Sequence, residues 1–509
     1  MAYSQNGAEA FNNEVIYHIF QRSFFDSNGD LNGDFNGICE KLPYLEDLGI
    51  TAILLTPVFE SPFYHNYFSS NFDKTDPKYG TREEFINLVK AIHQKGMRVY
   101  LDMETQYVTE DHIWFKGSLN NPKSAYSKYI LYNDPENTAP ESIIYGITEL
   151  AGYDGVVKKM ATVNLYSLKV RNYNYKLFKS FIDPNSDGRF EGGVDGFRLD
   201  HMMDDLDGKG RLKNLFKVFW APLISKLKKI NPRLIFIAEQ ADWDSYGYEY
   251  FKKGYVDRVF AFNLQKAIAS FDKTRIIQAA NSTINLTPNG NQQIVFLENH
   301  DMERFASTVN KDPGKLRVAA AINLLISDLV CIYYGQELGM TGSGGFSKFG
   351  LTDGNDIPQR EAFRWFKSND EPGMALWYKD TGPWWDETNL MADDGVSLEE
   401  EQADPNSLWY FYRDLLHLRK NNEALASGKY EVLANENDYV FSFFRAKDEH
   451  AAIVLINLSY TTQEIMINAD QVKKPKYFNK LYGSANLNAN GEIFSGFLQP
   501  YGVEIFEIK

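Results

Sequence analysis

Cysteine is nearly absent from this chain, whose 509 residues contain only Cys39 and Cys331. A disulfide framework is not expected. Both residues, one in the helix-like ICEKLPYLEDLGI and one in the apolar run LVCIYYG, read as core thiols. Long apolar runs are missing too: none approaches the roughly 20 residues that span a bilayer, so no transmembrane helix is expected. Positive charge is in deficit. A net charge of -15 argues against nucleic acid and anionic membranes as partners, because both reward a basic face, whereas a neutral sugar is compatible with it. The opening MAYSQNGAEAF lacks the basic start and apolar stretch of a signal peptide, which leaves the compartment open. His18, His65, His93, His112, His417 and His450 show no zinc spacing and read as core or surface residues.

What is present is apolar substance: 44% hydrophobic residues, too many for a disordered chain, over a length that calls for one large domain with appendages. Eight apolar runs of strand length recur with helix-like segments between them. They begin at Val15, Thr51, Met97, Val194, Leu234, Arg258, Gln293 and Leu329. Eight strands alternating with helices predict an α/β fold, a (β/α)8 TIM barrel. Roughly 90 polar, Tyr-rich and Asn-rich residues separate the third run from the fourth, which predicts an inserted subdomain. After about residue 425 short alternating segments (YVFSFFRA, AAIVLINLS, GVEIFEI) predict a C-terminal antiparallel β-sandwich. The expected division is barrel over 1–103, subdomain over 104–170, barrel again over 171–425, and β-domain over 426–509.

Three of the runs end on carboxylates: GFRLDH on Asp200, IAEQ on Glu239 and FLENHD on Asp301. A barrel would gather these acids at its carboxyl-terminal rim, where chemistry is expected. Arg198 lies two residues before Asp200, so an extended strand points both the same way, and a guanidinium beside a carboxylate keeps it ionised and oriented. Paired carboxyl groups suit glycoside hydrolysis, one attacking the anomeric carbon and the other protonating the leaving oxygen.

In the order of these motifs and over nearly its whole length the chain resembles the α-amylase family of retaining α-glucan hydrolases and transferases. The resemblance implies Asp200 as nucleophile, Glu239 as acid/base and Asp301 as transition-state stabiliser. It further implies that Arg198 orients Asp200, that His300 and Tyr67 meet the reacting sugar, and that Asp102 is the structural acid ending the third strand. Tyr107, His201 and Trp243 are further candidates for sugar contact. Departures from the family pattern occur after Asp102, where Gln106 and Tyr107 replace an Asn-His pair; that puts in doubt the calcium ion shared by barrel and subdomain. Thr162, Val163, Asn164 and Leu165 stand in for the family's PDLN-like segment, and Phe68 stands where glucose-releasing relatives carry an Asp.

DSNGDLNGD places Asp26, Asn28, Asp30 and Asp34 in a tight Gly-containing loop able to wrap a hard cation with oxygens. Oligosaccharide-cleaving relatives carry a similar calcium loop, with a backbone carbonyl at the position of Asn32, so calcium is expected there and no organic cofactor. DPNSDG (Asp183, Asn185, Asp187) reads as a plain turn. Phe346, Trp365, Trp377, Trp384 and Trp385 follow the eighth run and read singly as closing the barrel top, whereas Trp243, Tyr246 and Tyr248 have the better claim to sugar. The expected activity is endo-cleavage of α-1,4 bonds in starch or maltooligosaccharides by a monomer. The alternatives are an oligosaccharide α-glucosidase, a neopullulanase-like hydrolase or a transglycosylase, and, less favoured, a non-catalytic glycan binder.

Overall fold

Each of the eight apolar runs becomes a strand of one parallel sheet: β1 (Glu14–Ile19), β2 (Ala52–Leu55), β3 (Arg98–Met103), β4 (Gly196–Met202), β5 (Ile235–Gln240), β6 (Arg258–Phe260), β7 (Gln292–Ile294) and β8 (Leu329–Tyr333). The computed structural model describes residues 13–386, 392–468, 478–486, 488–490 and 493–508. Neighbouring strands pair in chain order, and β8 returns to β1. Val295, just past β7, bridges Val330 in β8 and accepts from the Cys331 amide at 2.7 Å, which closes the barrel.

Alternation along the strands sets what faces inward. Ile16, Leu54, Tyr100, Ile237, Ile294, Leu329 and Cys331 form the inner cluster, while the residues between them, such as Tyr17, Ile53, Leu101 and Phe236, belong to the larger core under the helices. The amino-terminal floor of the barrel is polar: Glu14 accepts from the Tyr100 hydroxyl (2.9 Å) and pairs with Arg98 (2.7 Å) and Arg258. At the opposite end the same inward positions are Asp102 on β3, Arg198 and Asp200 on β4, and Glu239 on β5. Asp102 and Arg198 are register partners. A β-carbon on Gly196 would come within 2.0 Å of the Ile235 carbonyl oxygen, so glycine is what lets β4 lie this close to β5.

The helix Arg82–Gln94 illustrates how the outer layer is specified. Thr81 and Glu84 close a capping box, and Phe85, Leu88, Val89 and Ile92 fall on one buried face at helical spacing. Burying each such side chain contributes about 1.5–3 kcal/mol.

Between β3 and β4 the strands Tyr107–Thr109, Glu149–Ala151 and Val157–Thr162 form a small antiparallel sheet over the barrel rim. Towards the C-terminus a five-stranded and a three-stranded antiparallel sheet share a core of Phe444, Leu455, Ile465, Ile467, Phe494, Leu498 and Phe506, a two-layer β-domain. Cys39 and Cys331 are free thiols. Among the described residues no helix is long and apolar enough to cross a membrane.

Candidate active site

One guanidinium organises the carboxyl end of the barrel. Arg198 Nη1 donates to Asp102 Oδ2 at 2.7 Å and to Asp200 Oδ1 at 2.5 Å, while Nη2 pairs with Glu239 Oε2 at 2.9 Å and approaches Asp301 Oδ2 at 4.0 Å. Burial alone would weaken this cation's hold on its proton, but Asp102 and Glu239 reverse that, and Arg198 stays charged. The side chains of Asp200, Glu239 and Asp301, more than 100 residues apart from first to last, are thereby gathered around one point.

Electrostatics differ among the acids. Burial pushes the Asp200 carboxyl well above the usual carboxylate range; Arg198 opposes this, and Glu239, Asp102 and Asp301 add to it. Burial likewise raises Asp102 to about 6, against Arg198 and the Tyr67 hydroxyl. Tyr67 donates to Asp102 Oδ2 at 2.6 Å, lies 2.7 Å from His300 Nε2 and stacks on that ring at 5.4 Å with 9° between planes. His300 is kept neutral, first by burial and then by the nearby Arg360 and Arg198. Its Nε2 also lies 3.1 Å from Asp301 Oδ2. His18, fully buried, supports the His300 ring edge-on from β1.

The remaining sugar-contact candidates differ in exposure, Tyr107 being buried and His201 and Trp243 partly exposed. Tyr107 is buried, and its hydroxyl donates to Asp207 Oδ1 at 2.5 Å. His201 adopts a left-handed backbone (φ 43°), donates its amide to Glu239 Oε2 at 2.9 Å and places Nε2 3.2 Å from the same Asp207 oxygen. Trp243 has one face covered by Phe262, stacked at 4.6 Å and 10°. Trp365, Trp377 and Trp384 are buried and close the barrel top, whereas Phe346 is exposed.

Four participants escape a reading of motifs. Arg360 donates to Asp301 Oδ1 (3.1 Å), the His300 carbonyl (2.8 Å) and the Tyr64 hydroxyl (2.9 Å), so it orients the third acid as Arg198 orients the first two. It lies in the stretch IPQREAFRW after the eighth run, and nothing in that string singles it out. Glu104 is buried directly after β3: Oε1 accepts from the amides of Gln106 and Tyr107, and Oε2 has no partner. Burial and then the neighbouring Asp200 push this carboxyl well above its usual range. Asp207 and Lys209 form the third and fourth. Lys209 Nζ pairs with Asp207 Oδ2 (3.0 Å) and donates to the carbonyls of Ser142 (2.6 Å) and Ile143 (2.9 Å), so it clasps the subdomain to the loop after β4. Three donors hold Asp207 ionised against its burial, namely His201, Tyr107 and Lys209.

At the subdomain junction Gln106 turns its amide nitrogen onto the Asp200 carbonyl at 2.8 Å, and Lys209 supplies a positive charge there. In the 26–34 loop Asp26 accepts from the amides of Asn28, Gly29 and Leu31; Asn28 Oδ1 accepts from Asp30, and Asp30 Oδ1 from Asn32. Asp34 caps the helix Phe35–Leu48 through the Gly37 amide, and Asn32 Oδ1 accepts from Arg22. Among the described residues no group of three or more His, Cys, Asp or Glu is closed around a metal position. The loop's donors are nevertheless hard oxygens with lone pairs to spare, and burial together with Asp26 raises the Asp34 carboxyl, so the residues fit calcium in type. Asp183 caps a plain turn by accepting from the Asp187 and Gly188 amides.

A closed parallel barrel whose rim brings three acids to one arginine has the layout of a barrel glycoside hydrolase. Residues 18–428 match the family model for the alpha-amylase catalytic domain, and the chain belongs to that family. It is 28% identical to alpha-amylase 3 of Dictyoglomus thermophilum, over 98% of this chain and 94% of that one. Against the oligo-1,6-glucosidase of Bacillus cereus identity is 24%, over 97% and 98%. The crystal structure of an alpha-amylase from H. orenii superposes with a TM-score of 0.79 at 26% identity, covering 98% of this chain and all of the other. The protein is therefore an enzyme, a glycoside hydrolase.

Proposed function

We propose that the enzyme is a retaining hydrolase of α-1,4-glucosidic bonds in starch or maltooligosaccharides, acting on internal bonds. The observation that carries the retaining mechanism is the grip of Arg198 on both Asp200 and Glu239, and the α-1,4 linkage and internal action are supported by the likeness to alpha-amylase 3. One guanidinium holding two carboxyl groups favours the short separation, about 5 to 5.5 Å, at which one acid can attack while the other protonates. Arg198 occupies Asp200 Oδ1, which leaves Oδ2 to attack the anomeric carbon as the bond to the leaving oxygen breaks. Glu239 gives its proton to that oxygen. Oε2 of Glu239 is engaged by Arg198 and His201, so Oε1 carries the proton. In the second half Glu239 takes a proton from water, whose oxygen displaces Asp200 from the anomeric carbon. Asp301, fixed by Arg360 and His300, stabilises the positive charge that develops on the sugar ring.

We further propose that calcium is held by Asp26, Asn28, Asp30, Asp34 and the Asn32 carbonyl, where it would brace the loop after β1 and take no part in bond cleavage.

A second reading, exo-cleavage of short oligosaccharides, draws on the seam between the subdomain and the loop after β8. Ala151 bridges Thr352 there, and Tyr153 packs on Tyr64 and Trp377. Products sized over time from starch, pullulan, maltoheptaose and isomaltose decide between them. Early mixed maltooligosaccharides support internal cleavage, glucose alone supports the second reading, and silence on all four substrates overturns both.

A further inference from the structure

Two large exposed rings, one from the subdomain and one from the loop after β8, meet without burying one another. Tyr145 in the subdomain is 77% exposed and Phe346 in the loop after β8 is 71% exposed, with ring centroids 5.7 Å apart and planes at 58°. We propose that Tyr145 and Phe346 together form a stacking platform for a glucose unit of a neutral α-glucan, outside the reacting subsite.

The two rings are hung from different parts of the site. Tyr145 sits in a turn closed by the Gly146 amide on the Ile143 carbonyl, and Lys209 holds that same carbonyl. From Lys209 the path runs through Asp207 to His201, whose amide bonds Glu239. Phe346 follows Gly344 and Gly345, which are tied to Gln359 Oε1 (3.1 Å) and to the Asn355 carbonyl (3.3 Å). Gln359 in turn donates to the His300 carbonyl, next to Asp301. One ring is thus anchored on the Asp200 and Glu239 side of the site and the other on the Asp301 side. Their contact spans the two walls.

Backbone conformation supplies a second observation. Tyr145 has φ 58° and ψ 16°, a left-handed geometry strained for a residue with a β-carbon, and it gains no burial from it. Such strain at an exposed aromatic points to a role in presenting the ring. Charge favours a neutral ligand: the cations nearest the two turns in the chain, Lys209 and Lys348, and Arg211 beyond them, are each bound to protein oxygens, so the platform suits an uncharged sugar better than a phosphorylated one. Sugar C–H faces pack on aromatic rings by the same dispersion and quadrupole attraction that pairs aromatics.

The inference rests on the α-glucan reading above and is tested so that the two fail separately. In Tyr145→Ala/Phe346→Ala, KM for maltoheptaose should rise about 5- to 10-fold, and by several-fold less for maltotriose, while Tyr145→Phe retains wild-type behaviour. Tyr145→Gly should lose affinity for maltoheptaose while keeping or raising the thermal midpoint, since glycine relieves the backbone. Calorimetric binding of maltoheptaose is compared in Asp200→Asn with and without the double substitution, so the platform is read without turnover. Equal effects on the two sugars, or no loss of binding in that background, overturn the platform; absence of any α-glucan cleavage by wild type overturns the underlying reading instead.

Discussion

Lys209→Met is the most informative single perturbation. The Lys209 ammonium bonds the Ser142 carbonyl (2.6 Å) and hydroxyl (3.1 Å), the Ile143 carbonyl (2.9 Å) and Asp207 Oδ2 (3.0 Å), and its side chain is 21% exposed. Methionine keeps the apolar stem and removes the charge. Asp207, with only 2% of its side chain exposed, would lose one of three donors and keep Tyr107 and His201. Breaking a buried ion pair costs about 3–5 kcal/mol. The partial exposure of Lys209 and the two surviving donors bring this to about 2–3 kcal/mol, which over a chain of this length is a fall in thermal midpoint of roughly 2–3 °C. Hydrogen exchange should quicken at residues 141–147, where the ammonium holds the Ser142 and Ile143 carbonyls, and kcat/KM should drop because His201 and the Tyr145 turn hang from the same clasp. Adding Asp207→Asn should recover part of the loss, since the uncompensated charge is then gone. A midpoint within 1 °C of wild type with unchanged protection at 141–147 would refute the clasp.

Asp200→Asn should abolish turnover while the chain still folds, and substantial residual activity in that variant would sink the nucleophile assignment. Because burial raises Asp200, the acid limb of kcat/KM should lie above the ordinary aspartate range near pH 3.9, with activity lost as pH falls through it; a limb at or below that value contradicts the buried cluster. Glu104 also has a raised carboxyl, so its charged form opposes folding. Glu104→Gln should equal wild type in stability at pH 4 and gain on it as pH rises, read from unfolding midpoints, and parallel curves would refute it. Chelation should lower the unfolding midpoint through the 26–34 loop, by the linkage between ion binding and folding, and an unchanged midpoint counts against a held calcium.

The barrel was legible because its strands are buried on both faces and therefore read as continuous apolar runs. Legible in the same way were the inward positions: Arg198 and Asp200 share a strand face by simple alternation, and acids ending strands point to the rim. Tertiary partnerships were not legible. Arg360 meets Asp301 across 59 residues and Lys209 meets Ser142 across 67, and neither distance leaves a periodic trace in the chain. The tryptophans after β8 were ambiguous for a related reason: composition reports that a loop is aromatic, and only packing tells Trp365 and Trp377, which are buried, from Phe346, which is not.

The departures after β3 look, residue by residue, like erosion of a site; in space they form one network. Gln106, longer than asparagine, reaches the Asp200 carbonyl with its amide. Tyr107, longer than histidine, carries its hydroxyl to Asp207. Asp207 in turn fixes His201 and Lys209, and Glu104 pins the backbone amides of both replaced residues. A hydrogen-bonded network of buried polar groups is favourable only when nearly every member is satisfied, so these positions are expected to change together or not at all. The physical consequence is that restoring the family's Asn-His pair at 106 and 107 without altering Asp207, Lys209 and Glu104 should leave a buried carboxylate short of a donor and lower activity instead of raising it.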